Sequence, residues 1–282
     1  MKIIKEAVIG LSIILLMSSP GRAQTAQPTL QTGSAAGYAL KGDYWFNFVK
    51  IPYKLITSPL DWTLGDWGKA ALVGAGAAGV MMLDSSFKDF AQDDMRSGTT
   101  DDLADWTRPF GDSKILFPAM AGGYMVGAVT GSRRLTAASL LGFQSLAIAA
   151  GMTQGIKLLA GRTRPNKTDD EFDFQGPGGT DKSFVSGHAT HAFAVATVFA
   201  LEYRDSYVVP PLAYGLATLT AWSRVNDNKH WVSDVVLGAG VGFLVGVLTD
   251  RLSPFRPGNN PNVWILPMIG GDKKGISIAM KF

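Results

Sequence analysis

Six apolar runs constrain the fold of this chain more strongly than any other feature. They are rich in Ala, Gly, Leu and Val, and they lie at about 69–83, 115–130, 135–156, 189–201, 207–222 and 235–249. None shows the alternation with a period of two that a half-buried strand requires, and several are too long for strands. The pattern therefore predicts an all-α protein, a bundle of the six-helix type.

The regions between and after these runs have a different composition. The connection 84–114 is polar and acidic, and we expect one short helix within it, around 87–95. After Pro254, two apolar stretches flank the segment 270–275, GGDKKG. Apolar stretches around a Gly-rich turn are typical of a hairpin, so a short C-terminal β-hairpin is predicted over 263–282.

The N-terminus has the pattern of an export signal. Lys2 and Lys5 form a basic start, an apolar core follows over 7–17, and small residues at 21–23 suit a signal peptidase. An uncleaved anchor is the alternative, although the apolar core is short for a membrane span. The predicted division is a signal peptide at 1–23, a leader and linker at 24–60, the helical domain at 61–255 and a tail with the hairpin at 256–282.

The sequence leaves open whether the helices cross a membrane. The run 135–156 carries no charge, but the runs 189–201 and 235–249 are shorter than the ~20 residues that a span needs. If all six runs span and the mature N-terminus is outside, Arg133 and Arg134 fall in an outside loop, against the positive-inside tendency. We therefore favour an exported helical bundle in the periplasm, with attachment to the membrane on its periplasmic side as the alternative.

The composition excludes several classes of site. The absence of cysteine excludes disulfides, thiol nucleophiles and cysteine-based metal sites. Only three histidines are present, which disfavours a histidine-rich metal cluster. The net charge is +3 and no long Lys/Arg run occurs, so nucleic-acid binding is not indicated. We expect no metal and no cofactor, and the oligomeric state is left open.

The stretch 223–234, SRVNDNKHWVSD, places three chemically useful side chains at fixed spacing. If the histidine opens a helix, His230 and Asp234 lie one turn apart on the same face. Asp234 can then accept the imidazole N–H and leave the other ring nitrogen free as a nucleophile. Arg224 offers a planar set of donors to an oxyanion. Taken alone, this spacing is more often that of a surface hydrogen-bonded pair.

Two further segments carry groups that suit an anion. Lys157 and Arg164 are seven residues apart, so a helix would bring both cations to one face, although such residues often only complement a helix C-terminus. Ser186 is a natural N-cap, Gly187 permits close approach of the backbone to a ligand, and helix N-termini favour anions. His188 can donate a proton to a leaving group, whereas a capping-turn histidine is the simpler alternative.

The three segments together resemble the type 2 phosphatidic acid phosphatase (PAP2) superfamily. The resemblance rests on Lys-x6-Arg-Pro at 157–165, Ser-Gly-His at 186–188 and Ser-Arg-x5-His-x3-Asp at 223–234, in that order. It covers roughly 115–250, including the arrangement of helices around the motifs. The superfamily includes lipid phosphate phosphatases, class A acid phosphatases and vanadium haloperoxidases. One departure is visible, since Val185 stands where members usually have proline before Ser-Gly-His.

The resemblance implies a metal-independent phosphatase with a phosphohistidine intermediate, its phosphate site lying at helix ends. His230 would attack phosphorus, Asp234 would hold its tautomer, and His188 would protonate the leaving oxygen and then activate water. The implied phosphate-binding residues are Lys157, Arg164, Ser186, Gly187 and Arg224. The neighbouring Asp227 and Lys229 are interpreted as solvated loop residues, and His191 as a packing residue.

The substrate is predicted only by class. A lipid phosphate is the first expectation, because an Ala- and Gly-rich helical surface with upstream aromatics can receive an acyl chain. A broad-range acid phosphatase is the second. A vanadium haloperoxidase and a non-catalytic protein that binds phosphate or lipid are further alternatives, and the last would need neither His188 nor His230.

Overall fold

The described residues form helices over most of their length. The computed structural model describes residues 42–255, 263–270 and 273–280, so the predicted signal peptide and residues 24–41 of the leader and linker lie outside the described residues. The α-helices are α1 (Gly42–Thr57), α2 (Leu64–Met81), α3 (Asp84–Asp89), α4 (Gly98–Thr107), α5 (Ser113–Thr130), α6 (Arg133–Ala160), α7 (Gly187–Glu202), α8 (Val209–Asn226) and α9 (Val232–Arg251). Short 3₁₀ turns cover Ser58–Asp61 and Arg108–Gly111, and a π-helical turn covers Phe90–Met95.

The predicted all-α class is confirmed. Each of the six apolar runs corresponds to one helix, namely α2, α5, α6, α7, α8 and α9, although the run 69–83 continues two residues past α2 and the run 207–222 starts two residues before α8. The helices extend beyond the runs because their ends carry capping residues that an apolar count omits. Asp112 begins α5 by accepting the Lys114 N–H at 2.9 Å, and Gly131 follows the last residue of the same helix with φ +72°.

The segment assigned to the leader and linker contains a helix that the sequence analysis did not predict. Helix α1 packs on the bundle, with Tyr44, Asn47 and Ile51 buried. The Tyr44 hydroxyl donates to the Leu140 carbonyl at 2.9 Å, and Asn47 Nδ2 donates to the Leu252 carbonyl at 2.8 Å. The bundle therefore extends to Gly42.

The acidic connection 84–114 holds more structure than the one short helix expected near 87–95. That helix is present as α3 and the π-helical turn that continues it. Helix α4 follows and was missed. Ser97 and Thr100 cap its start reciprocally, each side chain bonding the backbone N–H of the other. This connection places Asp84 and Gln92 against the later helices, because Gln92 Nε2 donates to the Val225 carbonyl at 3.1 Å.

Helix α7 is the central element around which the site is assembled. It packs against α6, α8 and α9. The backbones of α7 and α9 lie close together where Gly238 of α9 meets Ser186. Any residue with a side chain would clash there, since a Cβ atom at Gly238 would lie 2.8 Å from the Ser186 carbonyl oxygen. Small buried residues on α7, Ala189 and Ala192, continue the same close packing toward α8. The start of α7 is thereby fixed against the start of α9.

Two of the described helices are long and apolar enough to cross a membrane. They are α6 and α9, and α2 with the bent α3 region would make a third if the pair counts as one span. The expectation that 235–249 is too short was wrong, because α9 begins at Val232 and ends at Arg251. Helix α2 also has no buried residue, and its Leu64 and Leu72 side chains are 91% and 75% exposed.

The predicted C-terminal hairpin is confirmed. Strands β1 (Val263–Gly270) and β2 (Lys273–Met280) pair antiparallel, with Val263 opposite Met280 and Gly270 opposite Lys273. This register fits a two-residue connection at 271–272.

Candidate active site

His230 and Asp234 face each other at the start of α9. The helix begins at Val232, so His230 precedes it by two residues rather than opening it as expected. His230 Nδ1 lies 3.6 Å from Asp234 Oδ2, and both side chains are buried. This distance is longer than a hydrogen bond, so the contact is electrostatic. Since Nδ1 faces the carboxylate, Nε2 is the ring nitrogen left for chemistry.

Ser183 is a third member of this arrangement, to which the sequence analysis gave no role. Its hydroxyl donates to Asp234 Oδ2 at 2.6 Å and lies 3.5 Å from His230 Nδ1. The Trp231 backbone N–H donates to the same Asp234 oxygen at 3.1 Å. The carboxylate oxygen nearest the imidazole therefore already accepts two short hydrogen bonds, which explains why His230 stands slightly farther away.

Arg162 was also missed, and it contacts the other oxygen of the same carboxylate. Its Nη1 donates to Asp234 Oδ1 at 2.7 Å, and its Nη2 donates to Asp84 Oδ2 at 2.9 Å. The sequence offered no signal for this contact. Arg162 lies between Lys157 and Arg164, where a basic residue is typical of a helix C-terminus.

The Ser-Gly-His segment begins α7 beside these groups. Ser186 is the N-cap, and its backbone N–H donates to the Asp234 carbonyl at 3.0 Å. The Ser186 hydroxyl oxygen is buried and has no hydrogen-bond partner among the described residues. Gly187 and His188 occupy the first helical turn, whose N–H groups have no acceptor within the helix. Residues that could bind an anion therefore meet at this helix end.

The three predicted cations lie around the same place. Lys157 is buried near the end of α6, and its ammonium donates to the Lys182 carbonyl at 2.5 Å. Arg224 is buried near the end of α8, and its Nε has no hydrogen-bond partner among the described residues. Burial lowers the pKa of Arg224, and the nearby positive charges of Arg108 and Arg164 act in the same direction. Arg164 is thus close enough for its charge to reach Arg224.

Asp227 is not the solvated loop residue that the sequence analysis took it to be. Its carboxylate accepts a hydrogen bond from Arg224 Nη1 at 2.6 Å, and Arg108 Nη1 lies 3.5 Å from the same oxygen. Asp227 therefore orients the guanidinium of Arg224 from one side. The 3₁₀ turn Arg108–Gly111 also reaches the start of α7, because a Cβ atom at Gly111 would lie 2.6 Å from the His188 carbonyl oxygen.

The site holds its histidines neutral when no ligand is bound. Burial lowers the pKa of His188 to about 3, and the charges of Arg224 and His230 add to this effect. Burial also lowers the pKa of His230 to about 4, against the opposing influence of Asp234. His191 Nδ1 lies 3.2 Å from the Gly111 carbonyl oxygen, a contact that anchors the turn. A neutral imidazole is the form that can act as a nucleophile.

Val185, the one departure from the resembled motif, is buried with 2% of its surface exposed. The peptide bond between Phe184 and Val185 is cis. Among residues 42–255, no group of three or more His, Asp or Glu side chains has an arrangement that could hold a metal ion. A small cleft adjoins His230, and its other lining residues are Asp84, Lys88, Pro165, Val225, Asn228, Trp231 and Val232.

Comparison with known proteins agrees with the resemblance drawn from the motifs. Residues 139–256 match the model of the PAP2 superfamily. A lipid A 1-phosphatase from Porphyromonas gingivalis is 40% identical over 104 residues, which are 36% of this chain and 21% of that protein. A lipid A 4'-phosphatase from the same organism is 24% identical over 130 residues, which are 39% of this chain and 55% of that protein. The chain thus spans about a fifth and about half of these curated relatives.

Two crystal structures are similar to this chain. One is a transmembrane PAP2-type phosphatidylglycerolphosphate phosphatase from Bacillus subtilis, with a TM-score of 0.45, 19% identity, and coverage of 73% of this chain and 95% of that chain. The other is LpxE from Aquifex aeolicus, with a TM-score of 0.46, 18% identity, and coverage of 60% of this chain and 95% of that chain.

Proposed function

We propose that this chain is a phosphatase that hydrolyses a lipid phosphate through a phosphohistidine, because residues 139–256 match the PAP2 superfamily model. The proposed catalytic residues are His230, His188 and Asp234. The proposed phosphate-binding residues are Lys157, Arg164, Ser186, Gly187 and Arg224.

In the first chemical step, His230 takes the phosphoryl group. The lone pair on Nε2 forms a bond to phosphorus while the bond from phosphorus to the leaving oxygen breaks. His188 gives its proton to that oxygen, so the alcohol leaves neutral. The imidazole ring becomes cationic as the P–N bond forms, and the Asp234 carboxylate, 3.6 Å from Nδ1, stabilises that charge.

In the second step, water releases the phosphate. His188, now neutral, accepts a proton from water as the water oxygen bonds to phosphorus. The P–N bond breaks and its electron pair returns to Nε2 of His230. Inorganic phosphate leaves, and the proton that His188 accepted passes to solvent once the anion no longer favours the protonated imidazole. Phosphoryl transfer of this kind depends mainly on positioning and on charge stabilisation.

One observation carries the proposal: two polar atoms, at the start of α7 and near the end of α8, are buried and have no hydrogen-bond partner among the described residues. They are Ser186 Oγ and Arg224 Nε. Buried polar atoms in native proteins are nearly always hydrogen-bonded, so such a pair near a helix N-terminus suits a bound anion. Burial is the main cause of the lowered pKa values of His188 and His230, and the positive charge of Arg224 lowers both further, which suits a site that accepts an anion.

A bound phosphate group also explains how His188 obtains the proton that it donates in the first step. With its pKa lowered by burial to about 3, His188 by itself holds no proton at neutral pH. A phosphate group in the cradle adds negative charge close to the imidazole, and a nearby opposite charge favours the protonated form. Binding of the substrate therefore raises the pKa of His188 and creates the acid that the first step needs.

A lipid substrate is supported by the surface of the protein and by the names of its relatives. Helices α6 and α9 are long and apolar enough to enter a bilayer, and α2 presents an exposed apolar surface. Both curated relatives are named lipid A phosphatases, which favours a phosphate on a lipid as the group removed. We propose attachment to the membrane facing the periplasm, after removal of residues 1–23 as a signal peptide.

Three substrates tested side by side examine the proposal. Purified protein in detergent should release phosphate faster from a lipid phosphate monoester than from a lipid pyrophosphate or a soluble aryl phosphate. Faster release from the soluble ester would favour an acid phosphatase instead. A chelator should leave turnover unchanged if the reaction is independent of metal ions. No phosphate from any of the three, with a correctly folded protein, would contradict the proposed function.

A further inference from the structure

A buried row of three charged side chains lies behind the proposed nucleophile. Arg162 stands between Asp84 and Asp234, and the side chains of all three are 0% exposed. Arg162 Nη1 donates to Asp234 Oδ1 at 2.7 Å, and Nη2 donates to Asp84 Oδ2 at 2.9 Å. The row joins the start of α3 to the start of α9, which are about 150 residues apart in sequence.

Hydrogen bonds and ring contacts on every side fix the guanidinium of Arg162 in place. Its Nε donates to the Glu171 carbonyl at 3.1 Å, and its Nη1 also donates to Ser233 Oγ at 2.8 Å. With a second bond from Nη2 to Glu171, each of its five N–H groups has an acceptor. The guanidinium also lies against two aromatic rings, Phe174 at 5.1 Å and Trp231 at 5.3 Å. A side chain fixed in this way fixes whatever it binds.

The charges in the row leave one net negative charge. When both carboxylates are ionised, they and the guanidinium sum to −1, whereas Arg162 and Asp234 alone would form a neutral pair. Burial raises the pKa of Asp84, and its hydrogen bonds from Ser233 and Arg162 act against that shift by favouring the charged form. Asp84 is held in place on its other side by the Ser233 backbone N–H at 2.9 Å and by the Ser233 hydroxyl. If Arg162 had Asp234 as its single carboxylate partner, its positive charge would offset the negative potential that Asp234 exerts on the imidazole.

We propose that Arg162 and Asp84 are positioning residues for the reaction. Arg162 fixes the Asp234 carboxylate behind His230, and Asp84 compensates the charge of Arg162 so that Asp234 faces the imidazole with its negative charge undiminished. This inference rests on the proposed function, since it assigns the row to the stabilisation of the cationic phosphohistidine. It predicts an effect on the chemical step rather than on phosphate binding.

The electrostatic surroundings of His230 set the sign of the expected change. Lys157 from α6, His188 from α7 and Arg224 from α8 face it with positive or titratable groups. Asp234 is the negative group among those that influence it, and Ser183 is the neutral one. Removing the charge of Asp84 therefore leaves the positive groups less opposed. The imidazolium form of His230 becomes less favourable, and its pKa falls further.

The test compares Asp84→Asn with the wild type and with a charge-balanced double variant, Asp84→Asn with Arg162→Gln. Asp84→Asn keeps the shape of the side chain but leaves Arg162 and Asp234 as a neutral pair. We expect kcat to fall about tenfold with KM changed less than twofold, and the His230 titration to move down by about one pH unit. The double variant again leaves one net negative charge on Asp234, so its His230 titration should return toward that of the wild type.

Two measurements keep this test separate from the proposed function. The titration of His230 is followed by NMR of the imidazole resonances in detergent, which needs no turnover and is simplified because the chain has only three histidines. Asp205→Asn is the matched control, because it removes a carboxylate that pairs with Arg134 near the other end of α7. It should leave the His230 titration and kcat unchanged.

The His230 titration in the two Asp84 variants decides the inference. A lower His230 pKa in Asp84→Asn, with recovery in the double variant, supports the inference even if the wild type hydrolyses none of the substrates offered. A folded Asp84→Asn protein with an unchanged titration would overturn it. If Asp84→Asn does not fold, the double variant decides, because a titration there that differs from wild type by more than about one pH unit contradicts charge compensation.

Discussion

Ser183 donates a hydrogen bond of 2.6 Å to Oδ2 of Asp234, on the side of the carboxylate that faces His230. Its oxygen lies 3.5 Å from His230 Nδ1, slightly closer than Asp234 at 3.6 Å. The serine oxygen can accept the Nδ1 hydrogen while its own hydrogen goes to Asp234. The tautomer of His230 is then set by two groups together, and Nε2 is left with its lone pair.

Replacing Ser183 by alanine should therefore slow the reaction. We expect Ser183→Ala to lower kcat about tenfold, because one hydrogen bond to a charged group contributes about 1.5–3 kcal/mol and Asp234 partly replaces the lost contact. Steady-state kinetics with a lipid phosphate measure this effect. Ser139→Ala is the matched control, since Ser139 is also a buried serine but its hydroxyl has no partner among the described residues. Equal activity in the two variants would contradict a role for Ser183.

The crossing of α7 and α9 offers a second prediction, from two glycines on one helix. A Cβ atom at Gly238 would lie 2.8 Å from the Ser186 carbonyl oxygen, whereas one at Gly240 would meet nothing within 4 Å. Gly238→Ala should push the helices apart, lower the melting temperature and reduce activity at least tenfold, since overpacking costs about 1–3 kcal/mol. Gly240→Ala should be neutral or stabilising by up to about 1 kcal/mol, as alanine favours helix. Thermal melts with parallel assays measure both, and equal behaviour would refute the close crossing.

The phosphate cradle predicts that arginine is required at position 224. Arg224→Lys keeps the charge but loses the planar donor set, one side of which Asp227 holds at 2.6 Å. We expect kcat/KM to fall by about 100- to 1000-fold, the range typical for loss of one transition-state donor. Arg204→Lys, an exposed arginine, is the control and should match the wild type. An unaltered kcat/KM in Arg224→Lys would show that this guanidinium does not contact the phosphate.

Much of the fold could be predicted because apolar composition determines helix position directly. Six runs without strand periodicity gave six helices, and the Gly-rich segment 270–275 gave the hairpin. Helix α1 was missed since Pro52 interrupts it and its buried side chains include the polar Asn47. Helix α4 was missed because its sequence, GTTDDLADWT, has almost no apolar face, so its start is specified by the Ser97 cap instead.

The site was harder to predict than the fold, because its supporting residues come from distant segments. The motif histidines could be named from spacing, but nothing local distinguishes Asp84 from the other acidic residues of its connection. Its partner Arg162 is 78 positions away and Ser233 is 149 positions away. Asp227 was misjudged for a related reason, since a charged loop residue is usually solvated and only the fold brings Arg224 and Arg108 to it.

The lowered pKa of His230 predicts the acid limb of the pH profile. Its neutral form attacks phosphorus, and its pKa lies at about 4, so the loss of kcat/KM on the acid side should occur as the pH drops through that value. Two substrates whose own phosphate pKa values differ separate this limb from ionisation of the substrate. An acid limb that remains near pH 6.5 with both would contradict the proposed environment of His230.

The same histidine lowers the stability of the fold at acid pH. In the unfolded chain His230 binds a proton below the ordinary imidazole pKa of 6.5. In the folded protein it remains neutral until the pH falls to about 4. Stability therefore falls as the pH decreases across this window, because the unfolded state binds more protons there. Unfolding should be monitored alongside the rates, so that loss of structure is not mistaken for protonation of the nucleophile.

The most direct test of the account is to trap the phosphoenzyme. Rapid quench with a radiolabelled lipid phosphate should give acid-labile labelled protein in the wild type and in His191→Gln, a matched histidine outside the proposed chemistry. His230→Ala should give neither label nor turnover. His188→Ala should be slow with a lipid phosphate but less impaired with an activated aryl phosphate, whose leaving group needs no proton. Labelled His230→Ala protein, or unchanged rates in both the His230 and His188 variants, would contradict His230 as the nucleophile.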